Sequence, residues 1–244
     1  MEYKYIRKYL GEEWLDQQKK FIANEKRVKI ELKDKISDEL EVYILNKIDK
    51  LIGKFENVEG FSQWIIEAKT TKTFEDHLFE LMVMENLLLK MDSFKIKARN
   101  ENSVPEALVK KGEDEFYIEM KKLKTVPHSI YNSVGELFKK SRNKFKSSKG
   151  ILFVGTFDFF KYPGGKQMAS PEFKLFKRLI SLRFERGFGS SIIAIILVNF
   201  VIKTDLNKII LGKEYYIINK PQEKGGKSLK FFEDIFEVDS FVYL

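Results

Sequence analysis

The chain has 244 residues, of which 43% are hydrophobic and 33% charged, enough apolar material to bury a core of one or two domains. It contains no cysteine and two histidines, His77 and His128, which excludes disulfides, thiolate nucleophiles, Cys-ligated zinc and a multi-histidine metal cage. The net charge is +8, and it is unevenly placed: residues 1–70 sum to 0, 71–109 to −2, 110–149 to +6 and 150–244 to +4. Positive charge thus gathers in and beyond the middle of the chain, as expected of a surface facing a phosphate backbone, although a solvated lysine-rich surface gives the same sum.

In chain order, residues 1–70 read as an N-terminal helical region. Leu40, Ile44, Leu45, Ile48, Leu51 and Ile52 mark one amphipathic helix, and Ser62 caps a short one presenting Phe61, Trp64, Ile65 and Ala68. The polar stretch Lys69 to Lys72 sets a boundary near residue 70, with a second domain over 71–244. Thr73 to Met91 is apolar nearly all round and reads as a buried central helix. Phe94 to Ala98, Val104 to Lys110 and Glu115 to Leu123 read as three short strands, the last two a hairpin turning at Gly112. Ile130, Val134, Leu137, Phe138 and Phe145 mark a helix that carries Lys139, Lys140, Arg142, Lys144 and Lys146. Ile151 to Thr156 is an apolar strand, Pro171 opens a helix ending near Gly187, Ser191 to Ile202 is a buried strand, and Tyr215 to Ile218 a shorter one. The longest apolar run, Ile192 to Ile202, is interrupted only by Asn199. It falls short of the roughly 20 residues that span a bilayer, so no membrane partner is expected. Residues 1–20 lack a signal-peptide apolar stretch, so a soluble, cytoplasmic protein is expected.

Within this order stands Pro105-Glu106, then twelve residues, then Glu119-Met120-Lys121. In a strand alternate residues share a face, so Phe116, Ile118 and Met120 are expected towards the core and Tyr117, Glu119 and Lys121 on the other, polar side. A hairpin turn brings Glu106 towards Glu119, and two carboxylates with a neighbouring ammonium suit Mg²⁺ or Mn²⁺ at a phosphodiester. The tripeptide alone is weak: E-x-K occurs five times, starting at Glu2, Glu31, Glu67, Glu119 and Glu172. Glu67-Ala68-Lys69 is the serious rival, because Trp64-Ile65-Ile66 before it can be read as an apolar strand.

The helix, three strands, helix, strand order with this Pro-acid and acid-x-Lys pair resembles the PD-(D/E)xK nuclease superfamily over about residues 73–157. The resemblance implies an α/β fold with a restriction-endonuclease-like core, a mixed central sheet flanked by helices. It implies a Mg²⁺-dependent deoxyribonuclease, with Mn²⁺ as substitute, in which Glu106 and Glu119 bind the cation and Lys121 orients the attacking water. It further implies a helix glutamate, for which Glu80 is chosen over Glu75 and Glu85. Glu106 departs from the usual aspartate, leaving a catalytically inactive nucleic-acid-binding protein as the alternative. DNA is the expected partner, met by Lys139, Lys140, Arg142 and Lys144. The helical region is assigned to homodimer formation or target contact. His128 reads as a cap or surface residue, and the Phe157 to Tyr162 run as core, interface or a base-stacking platform.

Overall fold

The computed structural model describes residues 2–29, 34–70, 74–96, 105–123, 130–145, 148–156, 171–187, 191–205 and 208–220. His128, the Phe157 to Tyr162 run and the Pro163-Gly164-Gly165 loop lie outside them. Contacts divide the chain into two units, Met1–Leu89 and Lys90–Leu244.

The first unit is helical: α1 (Lys4–Tyr9), α2 (Glu12–Lys29), α3 (Asp34–Phe55), α4 (Phe61–Thr70) and α5 (Phe74–Lys90, all but its last residue in this unit). The α3 stripe reads as expected, with Ile44, Leu45, Ile48, Leu51, Ile52 and Phe55 fully buried. Asp49 on this helix accepts the backbone N–H groups of Tyr5 and Ile6, both at 2.7 Å, satisfying donors that the start of α1 cannot pair internally. Polar contacts tie α5 to the helices before it within this unit. Trp64 Nε1 donates to Glu80 at 2.8 Å, and the buried Glu85 carboxylate pairs with Lys54 and with Lys47 at 3.1 Å.

The second unit is a six-stranded mixed sheet in the order β1-β2-β3-β4-β5-β6, formed by Ser93–Ile96, Ala107–Lys111, Asp114–Leu123, Gly150–Thr156, Ile192–Asp205 and Lys208–Asn219. The first three strands are antiparallel, β3, β4 and β5 run parallel, and β6 returns antiparallel. The parallel joins are spanned by α6 (Ile130–Phe145) and α7 (Pro171–Glu185), as parallel pairing requires a crossover. The helix, three strands, helix, strand order expected from the sequence is therefore present from α5 to β4. The last strand is longer than the Tyr215 to Ile218 stretch, because it pairs along β5 from Ala194↔Asn219 to Asp205↔Lys208.

Register assigns the faces. Glu119 lies opposite Leu152, Leu152 opposite Ile195 and Ile195 opposite Ile218, and Lys121 lies opposite Val154 in the next row of that face. Leu152, Val154, Ile195 and Ile218 belong to one apolar cluster with Val134, Leu137, Phe138 and Phe145 of α6 and Phe176, Leu179, Ile180 and Phe184 of α7. The face expected to be polar is thus the one that α6 and α7 cover. The opposite face, with Phe116, Ile118, Met120, Ile151 and Phe153, is buried as well. Central strands in a helix-flanked sheet are apolar on both sides, and β4 reads accordingly.

Candidate active site

The β2–β3 hairpin carries the motif. Lys111 pairs with Asp114 across a turn in which Gly112 has φ of +58°, a left-handed conformation that glycine adopts without a Cβ penalty. Asp92 pins the turn by accepting the Gly112 N–H at 2.8 Å and Lys111 Nζ at 3.0 Å. From that turn the register runs to Ala107↔Ile118, and one further step sets Glu106 across from Glu119. Twelve intervening residues are what a tight two-residue turn needs to align those two positions.

The Glu106 carboxylate is anchored by the backbone N–H of Met120, which donates to its Oε2. Its Oε1 stands 3.6 Å from Lys121 Nζ, and the same ammonium lies 2.5 Å from Glu119 Oε1, so one lysine touches both acids. Glu106 is 5% exposed and Glu119 wholly buried. A second lysine completes the group: Lys144, from the last turn of α6, reaches Glu119 Oε1 at 2.7 Å and Oε2 at 2.9 Å. Two carboxylates are thus balanced by two ammonium groups. Burial first, then the Glu106 charge, raise the Glu119 pKa above the ordinary glutamate value, and Lys121 and Lys144 oppose that rise.

No family model and no curated protein matches the chain. Among solved structures it is similar to that of Pyrococcus furiosus SfsA in complex with Ca²⁺, at 12% identity and a TM-score of 0.26. That alignment covers 59% of this chain and 61% of SfsA.

Glu106, Glu119 and Lys121 are brought together as the motif spacing predicts. The rival is removed: Glu67-Ala68-Lys69 lies within α4, where Glu67 accepts from Gln63 one turn earlier at 3.3 Å. Helix geometry points Glu67 and Lys69 apart instead of side by side. Glu80 sits in the helical unit holding the Trp64 indole N–H, so its charge, costly if unpaired, is partnered there. Glu85 holds its two lysines, and the side chain of Glu75 lies outside the described residues. Of the four cations expected on DNA, Lys139 is exposed on α6, while the side chains of Lys140 and Arg142 lie outside the described residues. Lys144 departs from that expectation, being turned inward onto Glu119 and only 16% exposed. Its signal was in the sequence: it stands seven residues after Leu137 and three after Ser141, both buried, and such spacings share a helix side.

Among the described residues no three Asp, Glu or His side chains form a metal cage. The two carboxylates nevertheless suit a hard cation that binds through one or two acids and fills its remaining positions with water and phosphate oxygens. Glu119 Oε1 is buried and faces both the Lys121 and the Lys144 ammonium, so its lone pairs are already directed at positive charge. The donor set fits Mg²⁺ or Mn²⁺.

Proposed function

We propose that the chain is a metal-dependent nuclease that hydrolyses DNA phosphodiester bonds. The observation that carries this reading is the buried Glu106–Glu119 pair with one ammonium reaching both acids, Glu106 just before β2 and Glu119 on β3, in the order of the PD-(D/E)xK pattern. A divalent cation bound there would supply charge neutralisation at the phosphate and acidify water. The chain's own groups do the rest. Glu106 and Glu119 set the position of the positive charge, the first fixed by the Met120 amide and the second by the rigid centre of the sheet. Lys121, 31% exposed, shares that strand face, and its ammonium can hold the attacking water and oppose negative charge growing on the phosphate oxygens. Lys139 supplies positive charge on the outside of α6 for the phosphate backbone.

Incubating the full chain with plasmid DNA tests this. Mg²⁺ or Mn²⁺ is expected to support cleavage and excess EDTA to abolish it, with Ca²⁺ permitting binding without turnover. Cleavage in excess chelator contradicts the mechanism. A second reading, a nucleic-acid-binding protein on the same scaffold with no turnover, is favoured by the Lys144–Glu119 pair, which already balances the acids without metal. DNA retention without cleavage in Mn²⁺ selects it.

A further inference from the structure

Lys144 holds the carboxylate that a cation at this site would need. A divalent ion ligated by Glu119 sits about 2.0–2.1 Å from a carboxylate oxygen if it is Mg²⁺. Both oxygens are already approached by the Lys144 ammonium, at 2.7 and 2.9 Å, and Oε1 also by Lys121 at 2.5 Å. Two ammonium groups and a divalent ion around one buried carboxylate repel strongly where little water screens them. One lysine has to leave. Lys121 is two residues from Glu119 on the same strand, also reaches Glu106, and stays beside the pair wherever its ammonium turns. Lys144 reaches in from a different element, on a flexible stem whose ammonium pairs with Glu119, so it is the one that can withdraw without disturbing the sheet.

We infer that Lys144 is an exchangeable internal counter-ion: its ammonium holds the Glu119 carboxylate when no metal is bound and is displaced when a divalent cation enters. This deepens the metal reading above and rests on it. As a positioning residue, Lys144 keeps the buried acid in place between metal-binding events at a cost in metal affinity.

The test is calorimetric titration of Mn²⁺ alone into the full chain at low salt, for the natural sequence and for Lys144→Met, which keeps the stem and removes the charge. The variant is expected to bind Mn²⁺ about tenfold tighter or more, since one charged contact no longer competes. In the unaltered protein, acetic anhydride labelling of Lys144, read by mass spectrometry, should rise several-fold when Mn²⁺ is added, an outcome that needs no variant to fold. If the natural chain binds Mn²⁺ while Lys144→Met binds it no more tightly, or while Lys144 labelling stays unchanged, the exchange is overturned and the Glu106–Glu119 metal site stands. If the natural chain binds no Mn²⁺, both fall together.

Discussion

Glu119 is the residue on which chemistry and stability meet. Its complete burial, with Lys144 of α6 upon it, means that Glu119→Gln changes a packed position as well as the site: the amide keeps the shape but leaves the Lys121 and Lys144 ammonium groups without their shared anion. Loss of metal affinity is expected, with unfolding free energy in urea changed by no more than about 1 kcal/mol, because burial already disfavours the ionised carboxylate that the amide replaces. Lys121→Ala should behave differently, keeping the metal carboxylates but turning over roughly 10² more slowly, as for loss of one transition-state donor. Single-turnover cleavage at saturating Mn²⁺ separates the two variants. The raised Glu119 pKa also fixes a sign. The folded chain holds a proton that the unfolded chain has released between the ordinary glutamate value and the raised one, so stability falls as pH rises through that window. Glu119→Gln lacks this contribution. Natural-minus-variant stability should therefore decline with rising pH across the window and level off above it; a difference that grows with pH contradicts the burial argument.

At the scale of elements, the β2–β3 hairpin was legible because two strands of alternating residues flank a glycine, and that spacing alone aligned Glu106 with Glu119. The covering of its Glu119 face was not legible. Period-two alternation says which residues share a side, but not what packs on that side, and α6 arrives from beyond the hairpin. The same gap hid the inward turn of Lys144, expected among the cations on DNA although its spacing from Leu137 and Ser141 set it at the buried edge. Two expectations follow for α6. Lys139 and Lys140 replaced together by Ala should reduce the log-log salt slope of DNA binding by up to about 2 if both meet phosphates; an unchanged slope assigns them to solvent. Gly150, where β4 leaves the turn after α6, is covered by the Phe145 ring so closely that a Cβ would overlap it. Gly150→Ala should cost about 1–3 kcal/mol, visible as a lower melting temperature, because buried ring and strand backbone leave little room to shift.

For the whole molecule, the sequence conveyed an α/β chain whose helical start precedes a helix-flanked sheet, and the six-stranded mixed sheet agrees. The grouping of α5 was harder to read. Lys69 to Lys72 looks like a linker, yet α5 belongs by contacts with the helices before it, through side-chain pairs such as Trp64 with Glu80 that no local pattern announces. Among the described residues no helix is long and apolar enough to cross a membrane. The net charge of +8 supports an anionic partner without naming it. The central claim, that Glu106 and Glu119 together hold one divalent cation, is tested most directly by Mn²⁺ titration of the full chain beside Glu106→Gln, Glu119→Gln and the control Glu67→Gln. One ion per chain should bind the natural sequence and the Glu67 variant, with binding lost from the other two. Binding that survives both Glu106→Gln and Glu119→Gln, or that disappears with Glu67→Gln in a folded protein, contradicts the account.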